Sequence, residues 1–132
     1  KSVMHYFSNT PLVLQNKNKN GDRSVLYYDI DADSVLTKSI IDKIKKTDPS
    51  ISTNGITAKF INKNKGSRKK EFLKEFNGKK VYVVGSLCNI EIVAPIEAQR
   101  ILWYSGIGLS TGIGYGFISE LLTKKTCKTT TI

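Results

Sequence analysis

Cysteine, histidine and acidic side chains are scarce in this 132-residue chain, and each scarcity excludes something. Two cysteines, Cys88 and Cys127, cannot build a disulfide framework. One histidine, His5, and no Cys/His cluster give no zinc site, so neither a metal nor a cofactor is expected. No apolar run approaches the roughly 18–20 residues that a membrane span needs. The N-terminus has one lysine and then a mixed aromatic stretch, unlike a secretory signal. No membrane partner and a cytoplasmic setting are therefore expected, with Cys88 buried and reduced. The chain begins without methionine, as a fragment or a processed product would.

Eleven acidic residues face twenty-one basic ones, leaving a formal charge of +10. The excess is local. Nine basic residues lie between Lys59 and Lys80, opposed only by Glu71 and Glu75. Such a concentration attracts polyanions, either nucleic acid or an anionic surface. The length suits one domain with a real core and not two.

Ser2–Gln15 reads as extended, interrupted at Pro11. The polar loop Asn16–Asp22 and a second arm, Ser24–Ile30, make a hairpin. A helix follows. Asp31 or Asp33 caps it, Leu36, Ile40, Ile41 and Ile44 share one face, and Asp48-Pro49 ends it. Gly55–Ile61 reads as a strand, the basic stretch Asn62–Lys70 as a loop or hairpin tip, and Glu71–Phe76 as a return strand. Lys79–Ala94 reads as a long strand, whole or broken at Gly85. Tyr82, Val84, Cys88, Ile90, Ile92 and Ala94 share its core-facing parity. Pro95 opens a second helix, Ile101, Leu102 and Ala98 pack inward, and Gly106 is its C-cap. Tyr115–Leu122 is the last strand, and residues 123–132 form a basic Thr/Lys tail. The simplest fold for this order is α+β: a ferredoxin-like βαββαβ domain over residues 1–122, with extra hairpin strands. Both helices cover one face of its sheet, and the other face is free to bind.

Half of the ten glycines fall between Gly106 and Gly116. So much unrestrained backbone is costly unless bare backbone has a task. Beside so many cations, the expected task is receiving phosphate. Amides in such turns can form an anion-binding nest, and Ser110 and Thr111 add hydroxyl donors. The RNA-contacting residues expected on this reading are Gly106, Gly108, Ser110, Thr111, Gly112 and Gly114 in the loop. Lys63, Lys65, Arg68, Lys69 and Lys70 in the basic segment join them, with Arg100 on the second helix. Tyr27, Tyr28, Tyr104 and Tyr115 are candidates for stacking on unpaired bases. A tight helix-to-strand connection docked on a neighbour is the competing reading of the loop.

Several of these features coincide with a known pattern. Ser8-Asn9-Thr10-Pro11-Leu12-Val13-Leu14 leads into a hairpin and Tyr27-Tyr28, and Ala94-Pro95-Ile96-Glu97 opens the second helix. The glycine loop then closes on Tyr115-Gly116-Phe117. Over residues 8–121 the chain resembles the C-terminal RAMP domain (an RRM-like module) of the CRISPR repeat-RNA-processing endoribonucleases of the Cas-six type. It departs from them in having Asn-Thr-Pro where Ser-Pro is usual. The resemblance implies CRISPR repeat RNA as partner and metal-independent cleavage, in which a 2′-hydroxyl attacks the scissile phosphate and leaves a 2′,3′-cyclic phosphate. That chemistry needs a base, an acid and a cation. The family holds them in an N-terminal ferredoxin-like domain, another expected partner. His5 has the right chemistry for proton transfer but lies before the aligned region, so no family role passes to it. It is the one catalytic candidate here. Two other readings stay open: a non-catalytic RAMP subunit holding guide RNA among other CRISPR effector subunits, and a protein-docking domain.

Overall fold

In the computed structural model, residues 1–18, 21–109, 111 and 114–121 are described. The core sheet has four antiparallel strands in the order β4-β7-β1-β8. These are β4 (Thr57–Ile61), β7 (Asn89–Ala94), β1 (Ser2–Ser8) and β8 (Ile118–Glu120). Helices α1 (Ala32–Thr47) and α2 (Ile96–Ser105) supply the two crossovers. This is the expected ferredoxin-like arrangement. Two extra hairpins decorate it: β2 (Leu14–Asn18) with β3 (Gly21–Val25), and β5 (Ser67–Phe76) with β6 (Lys79–Leu87).

Period decides which side is buried. On α1, Leu36, Ile40 and Ile44 recur every four residues and are fully buried, while Ile41, one position off that stripe, is only partly so. They meet Ala58, Phe60, Ile90 and Ile92, the alternate residues of β4 and β7. Asp31 stands at the N-cap but makes no side-chain cap bond. Asp33 instead accepts from the Phe60 amide at 2.9 Å, tying the helix start to β4. Asp48 is the C-cap, as expected ahead of Pro49.

Four boundaries differ from the sequence reading. The polar residues Asn16–Asn18 and Gly21–Asp22 are strand, with Asn18 paired opposite Gly21, and Leu26–Ile30 forms a turn. The strand break in Lys79–Ala94 comes at Cys88, not Gly85, while the buried parity slips earlier, between Gly85 and Ser86. Val83 is buried while Tyr82 is 45% exposed; from Ser86 onward the even positions point inward. Arg68, Lys69 and Lys70 lie on β5 and not in a loop, because the hairpin turns at Asn77-Gly78. Both turn residues have positive φ, 51° and 77°, the geometry an Asn-Gly pair adopts between two strands. The last strand is shorter than expected, and residues 122–132, including the tail and Cys127, lie outside the described residues.

Among the described residues three polar side chains are buried, Ser8, Ser86 and Gln99, and sequence periodicity did not mark the largest of them. Gln99 is 1% exposed. The Tyr6 hydroxyl donates to its Oε1 at 2.8 Å, and its Nε2 donates to the Ile92 carbonyl at 2.9 Å and the Ser2 carbonyl at 3.3 Å. Burial, with the Glu120 charge adding, pushes the Tyr6 phenol up to about 12. Replacing Gln99 by leucine strands these partners at roughly 1–3 kcal/mol per unpaired group. Urea melts should therefore show a loss of about 3 kcal/mol for Gln99→Leu. Much of it should return in the Tyr6→Phe/Gln99→Leu double variant, which no longer carries a stranded hydroxyl.

Candidate nucleic-acid interface

The β5–β6 ribbon is the most conspicuous basic feature. Isolated two-stranded ribbons are marginal in water, so this one needs an anchor. Its base is held by paired bonds between Leu12 and Ser86 (Leu12 amide to Ser86 carbonyl 2.8 Å, the reverse 3.0 Å). The Tyr27 amide donates to Ser86 Oγ at 3.0 Å. Gly85 is required at this crossing, since a Cβ there would lie 2.9 Å from the Leu12 carbonyl oxygen. Beyond the anchor the ribbon is exposed. Phe72 pairs with Tyr82 across the strands, their rings edge to face at 5.9 Å, and Lys70 Nζ stands 4.6 Å over the Tyr82 ring. Both rings remain about half exposed, at 53% and 45%. Solvated aromatic rings interleaved with cations are suited to bases and phosphates together. The exposed turn Lys63–Lys65 precedes the ribbon and carries two more cations.

The glycine loop lies between the ribbon and α1. Its described amides mostly point inward. Gly106 donates to the Leu102 carbonyl, Ile107 to Gly116, Leu109 to Val13, Gly114 to Thr111 and Gly116 to Pro11, all at 2.8–3.1 Å. An anion nest would need those same amides. The loop is instead a fold-back that clamps the link between β1 and β2. Two kinds of glycine result. Gly108 and Gly116 face backbone at distances that admit no Cβ, 2.3 Å from the Val13 oxygen and 1.9 Å from the Ile107 oxygen. A Cβ on Gly114 would meet none of the described residues within 4 Å. Gly106 is the helix C-cap at φ 78°, as the sequence indicates. Ser110 and Gly112 lie outside the described residues.

Each end of the loop opens on a cavity. One, about 420 Å³, joins Gly114 and Tyr115 to Lys69 and Glu71 on the ribbon, over Thr10 and Pro11. Tyr115 donates its hydroxyl to Glu71 at 3.1 Å, and desolvation, helped by that carboxylate, raises its pKa. The other, about 320 Å³, joins Gly108 and Leu109 to Lys38, Lys43 and Lys46 on α1. Lys43 donates to Thr111 Oγ1 at 3.2 Å, and burial lowers its pKa. The α1 lysines are not among the contacts expected from the sequence. Their one signal is that Lys38 and Lys46 are eight residues apart, two turns on one stripe.

The other expected residues are more scattered. Arg100 is exposed on α2 and lines neither cavity. Tyr27 is packed over Gly66 and donates to its carbonyl at 3.0 Å, so it serves the fold; Tyr28 and Tyr104 are exposed. His5 is on the open face of the sheet, away from both cavities. Its Nε2 is 3.0 Å from Glu91 Oε1, and Lys59 Nζ is 3.4 Å from Glu91 Oε2. The His5 hydrogen bond first, then the Lys59 charge, holds Glu91 below the usual carboxylate range. Cys88 is buried, and desolvation pushes its thiol up to about 12, which leaves it inert. Among the described residues no His/Cys/Asp/Glu group is placed to hold a metal ion, and no helix is long and apolar enough to cross a membrane.

A four-stranded sheet backed by two helices, with a glycine-rich fold-back between the second helix and the last strand, defines a ferredoxin-like domain of the RAMP type. Residues 2–120 match the family model for CRISPR associated protein Cas6, C-terminal, and the chain belongs to that family. Solved structures agree on the fold. The product of a Cas6-related gene from Pyrococcus furiosus superposes with a TM-score of 0.74 at 16% identity, over 94% of this chain and 50% of that one. A CRISPR associated protein Cas6 gives 0.63 at 11%, over 92% and 50%. A RAMP protein described as binding different RNA substrates gives 0.65 at 18%, also over 92% and 50%. The chain thus spans about half the length of these proteins. No curated protein matches it.

Proposed function

We propose that this chain grips CRISPR repeat RNA for a metal-independent endoribonuclease and supplies mainly the RNA-binding half of that enzyme. The observation that carries this reading is the placement of two basic banks, the ribbon and α1, at the two ends of one glycine loop. An RNA backbone crossing the loop meets Lys63, Lys65, Arg68, Lys69 and Lys70 on one side and Lys38, Lys43 and Lys46 on the other. The lysines contribute salt-sensitive affinity that is indifferent to sequence. Arg68, whose planar fork matches a phosphate, adds orientation. Family membership and a RAMP neighbour described as binding RNA support the same partner.

Cleavage by a 2′-hydroxyl needs a base at that hydroxyl, an acid at the leaving 5′-oxygen and a cation at the phosphorane. His5 is the chain's one imidazole, and it lines neither cavity. In this reading the acid and base come from a second ferredoxin-like domain, in the cytoplasm where the transcript is made. The full chain mixed with repeat RNA should bind it with a steep salt dependence and leave it uncut. Efficient cleavage abolished by His5→Ala would overturn that division of labour. Absence of salt-dependent binding would overturn the RNA reading itself and leave a protein-docking domain. Adding the second domain separates a processing enzyme, which releases a 2′,3′-cyclic phosphate, from a subunit that only holds guide RNA.

A further inference from the structure

We propose that the open face of the four-stranded sheet is a stacking platform for unpaired RNA bases, with Phe7 and His5 as its rings. The inference rests on the RNA reading above and assigns a second, separate surface to it. Helices cover one side of the sheet, so the odd-numbered residues of β1 face outward while Tyr6 and Ser8 are buried. Phe7 and His5 therefore stand two positions apart on a central strand, roughly 6–7 Å along it, about the reach of one nucleotide to the next in an extended strand. Phe7 is 38% exposed, and the His5 side chain 40%.

The register surrounds each ring with hydrogen-bonding groups. Phe7 lies opposite Asn89 on β7 and Ser119 on β8. His5 lies opposite Glu91, and Lys59 lies beyond it on β4. A base stacked on either ring would thus have amide, hydroxyl or carboxylate partners at its edges, the combination by which ring-bearing sheets hold single-stranded RNA. Position favours the same occupant. The Phe7 row is the last one before β6 enters β7 at Cys88 and before β4 passes into the Lys63–Lys65 turn. A strand leaving the basic ribbon therefore arrives at this end of the face. A protein partner fits less well, because it would have to bury the His5–Glu91–Lys59 row that crosses the middle of the face.

The test uses the full chain and a short single-stranded RNA carrying 2-aminopurine, whose fluorescence is quenched by stacking. Phe7→Leu keeps apolar contact with the sheet and removes the ring. It should weaken binding about tenfold and lose the quench, with the salt dependence unchanged. Phe7→Trp should restore both. Neutralising Lys69 and Lys70 should do the reverse, flattening the salt dependence while the quench persists. Wild-type affinity and quench in Phe7→Leu would overturn the platform and leave the ribbon reading intact. So would a change in that variant confined to self-association in sedimentation, which would mark the face as a protein interface. Failure of the unaltered chain to bind RNA at all would sink the broader reading instead.

Discussion

Replacing Arg68, Lys69, Lys70 and Lys74 together by alanine is expected to weaken RNA binding on the order of a hundredfold near physiological salt. The slope of log affinity against log salt should fall by roughly 3. The size follows from counterion release. Each phosphate contact contributes about 0.7–0.9 to that slope, and four exposed cations stand on one strand of the ribbon. None of the four makes an ion pair among the described residues, so their removal strands no buried carboxylate. Stability should change little, since exposed substitutions usually fall within about 0.5 kcal/mol. Two small losses are expected, where Lys70 leaves the Tyr82 ring and Lys74 the Phe76 ring. Filter binding across a salt series measures both quantities. An unchanged slope would mean that the ribbon is a solvated lysine face and that the phosphates lie elsewhere. The matching variant on α1, Lys38→Ala/Lys46→Ala, should lower the slope by about 1.5 if the backbone reaches the second cavity.

The difference between ribbon and loop explains what the sequence could and could not convey. Period-two burial in Ile90, Ile92 and Ala94 and four-residue spacing in Leu36, Ile40 and Ile44 were legible because each element repeats its pattern over enough residues. With those elements in order, short right-handed crossovers leave few sheets to choose from, and the ferredoxin-like arrangement followed. Cys88 was legible for the same reason. The start of β5 was not, because neither face of the ribbon is continuously buried: Lys69 and Lys70 are both exposed, so no parity separates strand from loop there. Asn77-Gly78 was the informative pair, and its two positive φ angles set the true turn. Long-range polar pairing left no local trace at all. Gln99 reads as one more polar helix residue until Tyr6, ninety-three positions away, donates to it. The loop's glycines were visible as a group, yet their inward amides depend on Pro11 and Val13, far away in sequence. Composition signalled that bare backbone was needed, and only the fold showed that much of the need is internal.

That distinction yields the second large effect. Gly116→Ala is expected to destabilise the domain by about 4 kcal/mol, a substantial part of the roughly 5–15 kcal/mol that holds a domain together. Three costs combine. The residue sits at φ 76°, which costs a side-chain-bearing residue about 1–2 kcal/mol. A Cβ would lie 1.9 Å from the Ile107 carbonyl oxygen, so the two backbones must separate. Separation breaks the 2.9 Å bond from the Ile107 amide to the Gly116 carbonyl and disturbs Ile107, which is fully buried. At this chain length the melting temperature should fall by about 15 °C. Gly108→Ala should behave similarly, since its Cβ would meet the Val13 oxygen that accepts from Leu109. Gly114→Ala should not. Its backbone, at φ 103°, is also strained for alanine, but its Cβ would meet none of the described residues within 4 Å, so the conformational cost of about 1–2 kcal/mol is the one expected. Gly114 lines the cavity shared with Lys69, and a methyl group there occupies space that a phosphate would approach. Gly114→Ala should therefore fold and bind RNA about tenfold more weakly. Equal melting points for Gly114→Ala and Gly116→Ala would contradict the inward packing of the loop. A well-folded Gly114→Ala with full affinity would make the loop a spacer between two basic banks, with no contact of its own to RNA.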